Sequence, residues 1–152
     1  MEELATTIFG LNVLILGYGR ISKVLARLLK AMGANVTVSA RKFSDLAWIE
    51  TNGYQAIHTA NVCDVLPDCQ LIVNTVPAII LKESILSRVP KGCLLIDLAS
   101  KPGGIDFSTA NNLGLRAIWA LSLPGKVAPI SAGKIIFNTI QNIESERRST
   151  LG

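Results

Sequence analysis

The sequence predicts an α/β fold: a doubly wound, mainly parallel sheet of six strands between two helical layers, α/β/α. Three observations carry this. Short aliphatic runs alternate with helix-period segments almost to the end of the chain. Most of the runs are continuously apolar, the pattern of strands covered on both faces. Helical segments between successive runs force parallel pairing, because a parallel crossover needs a connection of that size.

Each element has its own signal. Residues 11–16 read as a buried strand. Residues 20–32 then place Ile21, Val24, Leu25, Leu28, Leu29 and Met32 on a single helical stripe, and Gly33 ends that helix. NVTVS, residues 35–39, is the second strand; residues 43–52 form a helix stopped by Gly53, and residues 54–57 the third strand. A helical turn over 61–66 precedes Pro67. Residues 71–76 make the fourth strand, ended by Pro77, which cannot continue a ladder. A helix over 81–89, the fifth strand over 93–98, a short helix over 107–113 and the sixth strand over 115–120 follow. A long last helix over 129–147 has proline in its first turn and an apolar stripe at Ile136, Ile140 and Ile143. Core packing is the simplest use of that stripe; left uncovered, it would favour a homodimer.

Composition sets further bounds. At 152 residues, 49% hydrophobic and 17% charged, the chain has the make-up of one well-packed domain rather than of a disordered segment. Its apolar runs are too short to span a bilayer, so no membrane partner is expected. The first ten residues hold two glutamates and lack the pattern of a signal peptide, so a cytoplasmic protein is expected. Cys63, Cys69 and Cys93 are odd in number and show no C-x-x-C spacing, which argues for buried thiols over disulfides or a metal site. A net charge of +4, scattered and without interleaved aromatics, predicts no nucleic-acid partner.

The most informative stretch is Gly17-Tyr18-Gly19-Arg20-Ile21-Ser22, wedged between the first strand and the first helix. Free N–H groups and the positive end of the helix dipole converge there, and a pyrophosphate can settle on them if no Cβ intervenes. Gly17 permits the tight turn and Gly19 the close approach, while Ser22 stands at the third position, where glycine usually serves helix–strand packing. The serine is a tolerable replacement that also offers a donor near the phosphates. The plainer alternative is a strand-to-helix turn with no ligand. The strand–glycine–helix–strand spacing favours a dinucleotide.

The second strand selects between dinucleotides. An NAD site places a carboxylate roughly 20 residues after the glycines. Here the chain reads Ser39-Ala40-Arg41-Lys42, with no acid before Asp45. A guanidinium binds a 2′-phosphate bidentately, so NADP is predicted over NAD, with Arg41 as chief contact, Ser39 donating its hydroxyl and Lys42 adding charge. The alternative is a solvated basic loop.

Ligands in open α/β sheets lie beyond the carboxyl ends of the strands. The fourth strand runs into Asn74-Thr75-Val76-Pro77 and the fifth into Leu98-Ala99-Ser100-Lys101 followed by Pro-Gly-Gly. The sixth leads to Leu123-Pro124-Gly125-Lys126. These segments are expected to converge on the reactive ring. Asp97 is read as a loop brace, and His58 as a surface residue at a strand end. No catalytic residue is assigned.

GYGRIS, NTVPAIIL, IDLASKPGG and LSLPGKVAPISAGKII together resemble the A subunits of dipicolinate synthases, over about residues 8–143. The resemblance implies a Rossmann-type cofactor domain over 11–147, with residues 1–10 leading in from a preceding N-terminal domain and 148–152 a flexible tail. It implies an oxidoreductase that oxidises a dihydrodipicolinate-type precursor, a small dicarboxylate, to dipicolinate during sporulation, partnered by a separate B subunit. It also implies that Ala99, Ser100, Lys101, Leu123 and Pro124 line the nicotinamide end. Alanine dehydrogenases and transhydrogenases show comparable Pro-Gly and Ala-Pro elements and are the next reading. The 2-hydroxy acid dehydrogenases rank lower, because they need a late histidine and His58 is the sole one. A nucleotide-sensing regulatory module without chemistry is the alternative of another class, disfavoured by the basic second-strand end and the elaborate late loops.

Overall fold

The computed structural model describes residues 8–120 of the chain. The predicted last helix, Leu123, Pro124, Lys126 and both terminal segments reach beyond them. Six parallel strands are present among the described residues: β1 (Asn12–Leu16), β2 (Asn35–Ala40), β3 (Gln55–His58), β4 (Leu71–Asn74), β5 (Leu94–Asp97) and β6 (Arg116–Trp119). Their spatial order is β3-β2-β1-β4-β5-β6, and every neighbouring pair is parallel. The order reverses between β1 and β4, so the chain leaves these two strands in opposite directions and opens a crevice at their carboxyl ends. One row of the ladder at that edge reads Ile57, Ser39, Leu16, Asn74, Asp97, Trp119.

Two apolar clusters sandwich the sheet, as expected for strands buried on both faces. Val13 and Ile15 pack with Val36, Val38, Ala26, Leu29 and Ile49 under the helices α1 (Arg20–Ala31) and α2 (Phe43–Thr51). Leu14 and Leu16 pack with Ile72, Leu95, Leu86 and Ala110 under α3 (Glu83–Leu86) and α4 (Phe107–Asn112). Two short 3-10 segments, Thr59–Asp64 and Leu66–Asp68, replace the single helical turn expected there and cover the same face. No helix among the described residues is long and apolar enough to cross a membrane.

The stripe read on α1 divides. Leu29 is buried and Leu25 half-buried, together with Ser22 and Ala26, whereas Ile21, Val24, Leu28 and Met32 remain 50–57% exposed. Small side chains at Ser22 and Ala26 let α1 approach the sheet closely next to the glycine turn, which rotates the larger aliphatics toward solvent.

Two strands end earlier than their apolar runs suggest. At Asn74 the side chain takes over from the ladder: its Nδ2 donates to the Val76 carbonyl (2.9 Å) and its Oδ1 accepts from the Val76 N–H (3.2 Å). Asp97 ends β5 similarly by accepting the Ala99 N–H (3.0 Å). The predicted helix over 81–89 contracts to α3, because Leu81 is fully buried in a bridge to Ile105 instead. Asp106 caps α4, accepting from the Thr109 N–H and hydroxyl at 3.1 and 2.8 Å, which hold its carboxyl below the usual carboxylate range.

Candidate cofactor site at the carboxyl edge of the sheet

The two glycines of the first turn differ in what they do. Gly17 has φ +94°, and a Cβ there would lie 2.7 Å from Val76 Cγ2 and 2.9 Å from Thr75 Oγ1. The fold itself therefore demands glycine. Gly19 is the N-cap of α1 with φ −87° and ψ −170°, a conformation open to any residue. A Cβ on it would meet no atom of the described residues within 4 Å. Nothing in the packing of the described residues requires a bare backbone at Gly19. The N-terminus beside it has no side-chain cap and no acidic residue in its first turn. Uncapped N–H groups, the positive dipole end and open space above Gly19 fit a diphosphate. Arg20 and Ile21 contribute backbone there, their side chains being exposed.

Ser22 is fully buried, and its Oγ lies 2.7 Å from Thr75 Oγ1. Thr75 donates its own proton to the Leu16 carbonyl at 2.8 Å, so Ser22 must be the donor of the pair. Its hydroxyl is thus committed to stapling α1 to the exit of β4 and is not aimed at phosphates. Ser39 is likewise turned to the glycine corner: its carbonyl accepts from the Gly17 N–H at 3.1 Å, with Oγ 3.4 Å from the same nitrogen.

A cavity of about 330 Å³ joins Gly17, Ser39, Ala40, Arg41, Lys42 and Val76. It brings the phosphate turn and the basic end of β2 into one place. Four residues that sequence reasoning misses, Asp45, Thr59, Ala78 and Ile80, also line it. Asp45 belongs to the first turn of α2, which folds back over the end of β2 and returns a carboxylate to the basic loop. Tyr18 lines this cavity and also a larger groove of about 480 Å³ between α1 and α2. Its ring lies under Lys23 Nζ at 4.7 Å, and burial pushes its phenol up, with Tyr54 and Asp45 adding to the shift. That groove contains neither the glycine pair nor the end of β2.

On the other side of the crevice the predicted residues separate. Asn74 and Asp97 are fully buried and joined, Asn74 Nδ2 donating to Asp97 Oδ1 at 2.8 Å. Asp97 Oδ2 accepts from Gly104 N–H (2.7 Å) and Ile105 N–H (3.1 Å), so one carboxylate receives four donors and closes the loop that follows β5. Ala99 is buried, its carbonyl accepting from Trp119 Nε1 at 3.2 Å, while Leu98 packs partly on the sheet. Ser100, Lys101 and Pro77 are exposed and do not line the cavity around Gly17. Among the free thiols, burial pushes Cys69 up to about 11 and Cys93 to about 12, which keeps both protonated and inert.

Comparison with known proteins agrees with the fold and with a dinucleotide-binding domain. Residues 1–101 match the NAD binding domain of D-isomer specific 2-hydroxyacid dehydrogenases, a group that the sequence ranks lower for want of a late histidine. That match is to the cofactor-binding domain alone. The A subunit of dipicolinate synthase from Bacillus subtilis (strain 168) is 40% identical over 96% of this chain and 49% of its own length. The crystal structure of that Bacillus subtilis protein superposes with a TM-score of 0.94 at 38% identity, over 97% of this chain and 50% of that one. Its counterpart from Bacillus halodurans gives 0.90 at 38% identity, over 93% and 49%. The chain spans about half the length of these relatives. Over that half it belongs to the family of NAD-binding domains of D-isomer specific 2-hydroxyacid dehydrogenases, and it is a homologue of the A subunit of dipicolinate synthase.

Proposed function

We propose that this chain is the NADP-binding half of an oxidoreductase of the dipicolinate synthase A type. It would serve the oxidation of a dihydrodipicolinate-type precursor to dipicolinate in sporulating cells, alongside an N-terminal substrate domain and a B subunit. When bound, the nicotinamide supplies hydride acceptance. The chain's own residues bind and orient the dinucleotide. The α1 N-terminus and Gly19 hold the diphosphate, and Arg41 and Lys42 hold the 2′-phosphate.

The observation that carries the reading is the bareness of Gly19, since a ligand accounts for it and the packing of the described residues does not. Replacing Gly19 with valine sets a Cβ, which meets no atom of the described residues within 4 Å, and two methyl groups beyond it into the space above the turn. The variant's stability should fall by only about 1 kcal/mol, the cost of a β-branched apolar residue at an N-cap, and the chain should stay folded. Calorimetric titration with NADPH should detect no binding. A Gly19→Val chain that still binds NADPH with unchanged affinity removes the proposal's support.

A second reading, NAD, rests on Asp45, whose carboxylate lines the same cavity as Arg41. The two are separated by measuring Kd for both cofactors. Tighter NADPH binding supports the Arg41 assignment, and equal or tighter NADH binding supports Asp45.

A further inference from the structure

In the sequence His58 is a surface residue at a strand end, and the cofactor site as described does not use it. Its surroundings give it a task. The imidazole makes two hydrogen bonds of opposite sense. The Ala60 N–H donates to Nδ1 at 3.2 Å, and Nε2 lies 3.1 Å from the Arg41 carbonyl, 17 residues away in the chain. An amide N–H can only donate and a carbonyl can only accept, so Nδ1 carries the lone pair and Nε2 the proton. The two backbone groups therefore select one neutral tautomer. The same ring stacks on Phe43, centroids 5.9 Å apart and planes at 29°.

These contacts converge on one short piece of backbone. Ala40 and His58 are the last register partners of β2 and β3, so the sheet stops at their level. Arg41 and Lys42 form the bend between that last ladder position and α2, which begins at Phe43. The imidazole reaches past the sheet's end and grips this bend at both sides, by the Arg41 carbonyl and by the Phe43 ring.

We propose that His58 is a positioning residue for the basic corner. By fixing the Arg41 carbonyl, it fixes the direction in which the Arg41 guanidinium leaves the backbone, and with it the preference for a 2′-phosphate. The inference rests on the NADP reading given above. His58 touches no cofactor atom itself; it acts through Arg41. Its other bond, from Ala60, caps the 3-10 segment Thr59–Asp64, a purely structural role.

The two roles can be pulled apart, because each ring nitrogen has an amide mimic. In His58→Asn the shorter side chain reproduces the Nδ1 acceptor and keeps the cap, but cannot reach the Arg41 carbonyl. In His58→Gln the longer side chain carries an N–H to the Nε2 position. Dissociation constants for NADP+ and NAD+ are measured by calorimetry on the full chain as wild type, His58→Asn, His58→Gln and Arg41→Ala. Arg41→Ala should abolish the preference for NADP+. His58→Asn should lower that preference about fivefold, the worth of one hydrogen bond, with NAD+ affinity unchanged, and His58→Gln should restore it. If Arg41→Ala loses the preference while His58→Asn keeps it in full, His58 is a cap alone and the positioning role is overturned. If wild type shows no NADP+ preference, or Arg41→Ala retains it, the cofactor reading falls and takes this inference with it. Equal loss of NADP+ and NAD+ affinity in His58→Asn would also overturn it, because a positioning role acts on the 2′-phosphate only.

Discussion

The crevice has two sides built on opposite plans. On the β1–β2–β3 side, the groups that face the cavity are backbone at Gly17 and exposed charges at Arg41 and Lys42. On the β4–β5–β6 side, the corresponding row positions are Asn74 and Asp97, wholly buried and bonded to each other and to the following loop. One side presents exposed charges to the cavity; the other spends its buried polar groups on its own chain. Chemistry on the first side should be adjustable without unfolding the domain. The second should be inseparable from folding, because a buried acceptor with four donors cannot be removed cheaply.

Asp97→Leu tests the second plan most severely. It strands the N–H groups of Ala99, Gly104 and Ile105, removes one of the two bonds donated by Asn74 Nδ2, and should cost about 4 kcal/mol in urea unfolding. A loss below about 1 kcal/mol would mean that the loop closes without its carboxylate and that the contrast is false. Gly17→Ala should come next, at about 2–3 kcal/mol, from its positive φ and the approach of Val76 and Thr75. It shows that the open side has one structural residue, unlike Gly19. Arg41→Ala should leave the unfolding midpoint unchanged and weaken NADP+ binding at least tenfold by calorimetry, as loss of a charged hydrogen bond does. Asp45→Asn should instead tighten NADP+ by removing a carboxylate from the cavity. The smallest effect is expected for Ser22→Ala, about 1 kcal/mol in the same unfolding measurement, since Thr75 keeps its bond to the Leu16 carbonyl.

What is legible in the sequence follows the same division. Strands announce themselves because Leu14, Ile15, Leu16 and their equivalents are apolar on both faces, and the glycine corner because strand, turn and helix are contiguous. Polar side chains that replace ladder bonds are not legible in this way. Asn74 and Asp97 each end a strand by a local bond to backbone two residues on, but their bond to each other, across 23 residues, arises only from strand register. The contact face of α1 misleads for a related reason. Ser22 and Ala26 carry little hydrophobic weight, yet close approach selects them over Ile21, Val24 and Leu28. Asp45 lies too far along the chain to count as the second-strand acid, but the turn into α2 brings it back beside Arg41. His58 offers no pattern at all; its hydrogen-bond partners are backbone groups, which sequence does not distinguish.

The chain's two tryptophans sit at opposite ends of this contrast: Trp48 on α2 is 62% exposed, while Trp119 is stacked on Phe107 and bonded to the Ala99 carbonyl. Their emission should therefore differ in colour, the exposed indole to the red and the packed one to the blue. With Trp48 changed to phenylalanine, the remaining fluorophore becomes a native optical gauge of the segment after β5, readable in real time as any ligand arrives and without an attached dye.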